Sequence, residues 1–136
     1  MPIHVRVASE IGLVVIAFEG VVTADEFGAA GALVEKPEYA LLPLGLADTT
    51  AATRIDMPSE LIRAQARRAT QNVDRQIGPG AKMALVASNP EFFGLSRMYE
   101  LLRGDSPVAM NVFRTLSEAE EWLELPDDYA GRLRSI

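Results

Sequence analysis

The chain has 136 residues, a formal net charge of −6, 49% hydrophobic residues and no cysteine. This length allows one globular domain with a buried core, and the acidic charge argues against nucleic acid as the main partner, because binding phosphates needs a basic surface. The lack of cysteine excludes a disulfide framework, a thiolate metal site and a cysteine nucleophile. We expect one domain over 1–136, with its core at about 3–125, a loosely held tail at 126–136 and no cofactor.

Apolar runs in the sequence are too short for a membrane segment. The longest clean run, 13–18, falls far below the roughly 20 residues that a spanning helix needs. The first residues show no long apolar stretch of the kind found in a secretory signal. We therefore expect no transmembrane segment and a cytoplasmic location.

The first third of the chain has the hydrophobic patterns of two strands, followed by the start signal of a helix. Apolar and polar residues alternate over 3–7, which predicts a half-buried strand, and the β-branched run at 13–18 predicts a second one. The short link between them favours antiparallel pairing. Thr23 and Glu26 have the spacing of a capping box, which predicts a helix from this point to about Glu35.

The middle of the chain predicts a strand, a loop and a long helix. The apolar strand is expected at 41–47 and the loop at 49–55. Asp56 is the expected cap of the helix, which Gly78-Pro79-Gly80 should end. One buried stripe is expected on this helix, consisting of Ile62, Ala66, Ala69, Val73 and Ile77.

Two further strand and helix pairs are expected in the last third. A short apolar strand at 82–87 precedes a helix capped by Asn89. The apolar stripe of that helix consists of Leu95, Met98, Tyr99 and Leu102. The last strand is expected at 108–113, and a second capping box opens a helix over 115–123. Trp122 should pack inward from this helix, since so large an aromatic group is usually buried.

The element order is therefore β-β-α-β-α-β-α-β-α, which predicts an α/β fold. Strands that alternate with helices imply parallel strands joined by right-handed crossovers. We expect a mixed five-stranded sheet with an antiparallel N-terminal hairpin, parallel later strands and four covering helices.

Motifs spread over 12–123 carry a resemblance to a known family. They are Gly12-Leu13-Val14-Val15 leading to Gly20, Thr23-Ala24-Asp25-Glu26-Phe27, Asp48 after the third strand, 93–99, 112–115 and 118–123. With these motifs the chain resembles the STAS or SpoIIAA-like family of anti-sigma factor antagonists, and more specifically a bacterial branch described as STAS/SEC14-like. The resemblance implies the fold given above and a regulatory or protein-interaction role.

The resemblance also implies a phosphorylation site near the end of the third strand. In classical antagonists a phosphorylatable serine follows an aspartate at the start of the second helix. Here the matching residues are Asp48, Thr49 and Thr50, with threonine in place of serine and no glycine after it. Arg54 lies on the same predicted loop, so these four residues are the candidate phosphoacceptor or ligand loop. The alternative is that Asp48 and the threonines make only local hydrogen bonds.

The third predicted helix carries more large apolar groups than one stripe can bury. Phe92, Phe93, Met98 and Tyr99 are therefore the candidate interface with a second copy or another protein, or part of a site for a lipid-like ligand. The alternative is ordinary core packing. His4 is the only histidine and has no second histidine or cysteine beside it, so no metal site is expected.

Three function hypotheses remain. The first is a non-catalytic regulatory or protein-interaction module, with a homodimer or another protein as partner. The second is a carrier of a small apolar or acyl ligand, for which a chain of this size leaves little room. The third is an enzyme with an unrecognised site on 48–56, the place after a parallel strand where open α/β sheets usually bind ligands.

Overall fold

The computed structural model describes residues 3–73, 80–104 and 106–136. Its strands are β1 (Ile3–Ala8), β2 (Leu13–Thr23), β3 (Leu44–Asp56), β4 (Lys82–Val86), β5 (Ala109–Phe113) and β6 (Arg134–Ser135). Its α-helices are α1 (Ala24–Val34), α2 (Pro37–Ala40), α3 (Ser59–Arg68), α4 (Pro90–Leu102), α5 (Leu116–Trp122) and α6 (Tyr129–Arg132). A 3₁₀ turn at Ser9–Ile11 joins β1 to β2, and a π-helical turn at Ala69–Val73 follows α3.

The strands form one mixed sheet in the order β5-β4-β3-β2-β1-β6. β1 and β2 are antiparallel, whereas β2, β3, β4 and β5 pair in parallel. The predicted α/β class, hairpin and parallel strands are confirmed. The prediction of five strands and four helices is wrong, because the described residues also contain α2, α6 and a sixth strand.

The extra C-terminal elements come from the segment that was expected to be a loose tail. Tyr129 begins α6 and is only 8% exposed, since its ring packs in the core beside Leu123. β6 then pairs antiparallel with β1, with Arg134 opposite Val7. A four-residue helix and a two-residue strand leave almost no periodicity in the sequence, and burial of one aromatic ring holds them in place.

The segment 49–55 is a strand and not the predicted loop. β2 runs on to Thr23, and β3 runs beside it to Asp56, so the two strands stay paired after two shifts in register. The pairing of β2 and β3 therefore extends a segment whose own residues, such as Ala51 and Thr53, show little strand pattern. The next helix begins at Ser59 after Pro58, so Asp56 does not cap it.

Other helix starts, and the described part of the stripe of α3, follow the local sequence signals. The side chains of Thr23 and Thr115 accept hydrogen bonds from the amides three residues later, at 3.5 and 3.3 Å, which confirms both capping boxes. Asn89 caps α4 as predicted, with its Oδ1 2.7 Å from the amide of Glu91. Three members of the predicted stripe of α3 and the turn after it, Ile62, Ala66 and Ala69, are buried. The rest of this prediction, the side chain of Val73, Ile77 and the expected helix stop at Gly78-Pro79, lies outside the described residues.

The two faces of the sheet are covered by different helices. α5 and α6 cover one face, which we call the packed face; here Leu13, Leu46 and Ala84 meet Leu123 and Tyr129. Trp122 packs beside this core, with its ring centroid 5.6 Å from that of Phe113. The inward packing predicted for Trp122 is confirmed, although its side chain is only partly buried. Helices α1, α3 and α4 lie over the opposite face, where the candidate site is found.

Candidate ligand-binding cavity

Small residues occupy the middle of the sheet face beneath α1, α3 and α4. On β3 these are Gly45 and Ala47, and they alternate with residues of the packed face. Their neighbours across the sheet are larger: Ile16 is opposite Ala47 on β2, and Met83 is opposite Gly45 on β4. The centre of this face is therefore recessed between two rows of larger side chains.

The helices above this recess also present small groups, so they do not fill it. Ala30 and Gly31 of α1, Ala69 after α3 and Ser96 of α4 border the same space. The result is a partly open cavity of about 230 Å³ between sheet and helices. Its walls are mainly apolar and include Ile16, Phe18, Phe27, Ile55, Leu85 and Phe92. Such a cavity favours apolar groups, because removing them from water is stabilising.

A polar group of side chains borders the opposite end of the cavity from Phe92. Arg103 follows the last residue of α4 and is only 6% exposed, and its Nη1 donates a hydrogen bond to the hydroxyl oxygen of Tyr99 at 2.8 Å. The Tyr99 hydroxyl donates to Oε1 of Gln65 at 2.7 Å. Glu35 also borders this end, with its Oε1 3.3 Å from Nε of Arg68. Polar side chains of the lining are thus concentrated at this end of a mainly apolar cavity.

The structure does not bring the four residues of the predicted phosphoacceptor or ligand loop together. The amide and hydroxyl of Thr50 both donate to Oδ1 of Asp48, at 2.9 and 2.7 Å. Thr49 faces the cavity, where its hydroxyl donates to the carbonyl oxygen of Val86 at 2.8 Å. Arg54 is exposed, and its Nη2 lies 4.0 Å from Oδ2 of Asp56. Because successive strand residues point to opposite faces, these groups do not converge on one point.

The candidate interface residues on α4 have different surroundings. Phe92 is 2% exposed and lines the cavity together with Tyr99. Phe93 is partly buried beneath the guanidinium of Arg114, which lies 4.1 Å from its ring centroid, and Met98 is also partly buried. The large apolar groups that α4 does expose are Leu101 and Leu102, at 73% and 45%.

The predicted stripe of α4 was wrong at its last member. Leu102 was expected to be buried, but the buried position one turn after Tyr99 belongs to Arg103. The inward-facing position after Tyr99 is therefore four residues later, at Arg103. Because Arg103 is charged, a search for apolar periodicity does not include it. Gly45, Ala47, Gln65 and Arg103 were likewise missed as site residues. Small residues at alternate positions of an apolar strand were a signal for Gly45 and Ala47, whereas no sequence pattern pointed to Gln65 or Arg103.

A buried tyrosine on the packed face has a strongly perturbed pKa. Burial raises the pKa of the Tyr129 hydroxyl far above its usual value of 10, and a hydrogen bond to Glu120 raises it further. The negative charges of Glu120 and Asp48 act in the same direction. This face therefore holds a protonated phenol that anchors the C-terminal segment.

Within the described parts of the chain, no three His, Cys, Asp or Glu side chains lie close enough together to hold a metal ion. The same residues contain no helix with the length and apolar character needed to cross a membrane.

A solved structure of similar fold is that of a protein of the DUF3478 family from Shewanella loihica PV-4, described as uncharacterized and as having a SpoIIAA-like fold. It superimposes with a TM-score of 0.56 over 89% of this chain and 91% of that one. The chain has a SpoIIAA-like fold. This agrees with the resemblance carried by the sequence motifs, and the 12% identity limits the likeness to the fold. No protein-family model matches the chain, and neither does any curated protein.

Proposed function

We propose that this protein is a non-catalytic binding module that holds a small apolar ligand between its sheet and helices α1, α3 and α4. The cavity of about 230 Å³ with mainly apolar walls carries this proposal. An engineered cavity of about 150 Å³ lined by Leu, Ile and Phe binds benzene, whereas drug-sized ligands occupy about 300 Å³ or more. A ligand between these two sizes fits the space.

The residues of the 48–56 segment support this proposal better than they support an enzyme. The carboxylate of Asp48 is engaged by Thr50, and the hydroxyl of Thr49 is engaged by the backbone of β4. A general base and a nucleophile need to be within hydrogen-bond reach of each other. Asp48 and Thr49 instead have separate partners. Thr50 keeps an exposed position, so phosphorylation of its hydroxyl remains compatible with a regulatory role.

An alanine-to-leucine substitution on each face of the sheet tests whether the cavity has room for a larger side chain. Ala47→Leu places a larger side chain in the cavity, whereas Ala84→Leu places it in the packed face, where Ala84 is fully buried. Overpacking a filled core costs about 1–3 kcal/mol. We expect urea denaturation to show that cost for Ala84→Leu and little or none for Ala47→Leu. Equal costs for both variants would mean that no usable space lies above Ala47.

Binding is measured on the same variants by isothermal titration calorimetry. Indole and 1-nonanol serve as a ring and a chain probe for the wild-type protein. We expect at least one of them to bind and Ala47→Leu to abolish its binding, while Ala84→Leu keeps the wild-type affinity under conditions where it is folded. Binding of neither probe to the wild-type protein would contradict the proposed ligand class.

A second candidate function, compatible with the first, is association with another copy of the chain. The exposed pair Leu101 and Leu102 at the end of α4 favours it, since neighbouring large apolar groups on a surface often mark an interface. Sedimentation velocity of the wild-type protein and of Leu101→Ser/Leu102→Ser provides the test. A concentration-dependent dimer that the double substitution removes would support this function, and a wild-type monomer at all concentrations would contradict it.

A further inference from the structure

The cavity is elongated along the strands. Its lining residues on β2 run from Val14 to Phe18, a span of about 13 Å at the usual rise of a strand. On α4 they run from Phe92 to Arg103, about 16 Å at the usual rise of a helix. Across the sheet the lining residues lie on three neighbouring strands, β2, β3 and β4, which together span about 10 Å. The lining is therefore longer along the strands than across them, which suits an extended alkyl chain lying along the strands better than a compact ring.

The volume also sets the number of carbons in the alkyl chain of the ligand. A cavity of about 150 Å³ that takes the six carbons of benzene provides about 25 Å³ per carbon. At that ratio the volume of about 230 Å³ takes about nine carbons. The recess over Gly45 and Ala47 lies near the middle of the lining, so the chain would cross these two residues.

The distribution of polar groups determines which end of the alkyl chain lies at which end of the cavity. Phe27, Ile55 and Phe92 surround the end near the start of α4, whereas Gln65 and Tyr99 form a hydrogen-bonded wall towards its other end. Burying a polar group without a hydrogen bond costs about 1–3 kcal/mol in proteins. A polar end group is therefore favoured beside Gln65 and Tyr99, with the methyl end of the chain beside Phe27.

We infer that the ligand is an unbranched aliphatic chain of about nine carbons with one polar end group, a hydroxyl or a carboxylate, bound with its methyl end at Phe27. This inference rests on the proposed function and goes further in naming the shape, length and direction of the ligand. Calorimetry with 1-alkanols and with fatty acids of about five to about twelve carbons tests it. Nonane, indole and 1-adamantanol are the comparison ligands.

We expect affinity to rise about fourfold per methylene up to about nine carbons and then to level off or fall. Nonane and 1-adamantanol should bind at least about tenfold more weakly than 1-nonanol. The alkanol and fatty-acid series then show which end group is preferred. Tight binding of indole or 1-adamantanol without binding of the chains would overturn this inference and leave the proposed function standing. Binding of no probe, with equal destabilisation by Ala47→Leu and Ala84→Leu, would overturn both.

Two substitutions at opposite ends of the cavity test the direction. Phe27→Ala, with Phe27→Leu as a milder change in case the first does not fold, enlarges the methyl end and should move the affinity maximum to longer chains. Gln65→Ala should reduce the preference for 1-nonanol over nonane and leave the preferred length unchanged. The opposite result, with Gln65→Ala changing the length and Phe27→Ala changing the end-group preference, would show that the ligand binds in the other direction.

Discussion

Tyr129 is predicted to hold the C-terminal segment against the packed face. Its ring is buried in the core, and its hydroxyl donates to Oε2 of Glu120 at 2.5 Å. A hydrogen bond to a charged group contributes about 1.5–3 kcal/mol, and the low end applies here because Glu120 is partly exposed. Truncation of a buried aromatic residue to alanine costs about 3–5 kcal/mol. We therefore expect Tyr129→Phe to lower the free energy of unfolding by about 1.5 kcal/mol and Tyr129→Ala by about 3–5 kcal/mol.

Urea denaturation at neutral pH, followed by circular dichroism, measures both values. Tyr39→Phe and Tyr39→Ala are the matched controls, since Tyr39 lies on the short helix α2 and is only partly buried. A cost below about 1 kcal/mol for Tyr129→Ala would refute the reasoning, because it would mean that the C-terminal segment contributes little to the core.

The same residue gives the protein a predictable response to alkaline pH. Because burial and Glu120 raise the pKa of Tyr129, the folded protein retains the phenol proton at pH values where the unfolded chain has lost it. The contribution of the Tyr129 hydroxyl to the free energy of unfolding is fully present below the unfolded-state pKa of 10. It decreases as the pH rises from 10 towards the higher pKa of the folded protein. We expect the stability difference between the wild-type protein and Tyr129→Phe to shrink above pH 10. A difference that stays constant through this range would contradict the assigned cause.

The remaining predictions concern local features. Thr115→Ala should remove the cap of α5 and cost about 1 kcal/mol in urea denaturation, whereas Ser117→Ala, a neighbouring exposed position, should cost less. Trp122→Ala should cost about 2–3 kcal/mol, below the range for full burial, and the folded wild-type protein should show blue-shifted indole emission compared with the unfolded chain. Asp48→Ala/Thr50→Ala should leave the affinity for 1-nonanol unchanged in calorimetry, because Asp48 and Thr50 do not line the cavity.

Those parts of the fold that depend on neighbours in sequence could be predicted from the sequence. The Thr23 and Thr115 capping boxes need residues only three positions apart, and the N-terminal hairpin needs only one short turn. The second half of β3 could not be predicted, because Ala51 and Thr53 become strand residues only through pairing with β2. The same holds for β6, whose two residues are held by β1.

The candidate site was less predictable than the fold, because it is a volume and not a motif. Gly45 and Ala47 show that one strand carries small side chains, but whether helices fill the space above them depends on distant positions such as Gly31 and Ser96. Arg103 was missed because a charged residue was not expected on the inward side of α4. The family resemblance points instead to Asp48, just after the predicted third strand, where classical antagonists carry their serine.

The difference between the two faces of the sheet has a consequence for the behaviour of the protein under hydrostatic pressure. Pressure favours states of smaller volume, and the volume lost on unfolding scales with the internal voids that disappear. Side chains such as Leu123 pack against Tyr129 on the packed face, whereas the face beneath α1, α3 and α4 borders a partly open cavity of about 230 Å³. Pressure should therefore loosen these three helices before it loosens α5 and α6. A ligand bound in the cavity should abolish this difference, because it fills the space that unfolding would otherwise eliminate.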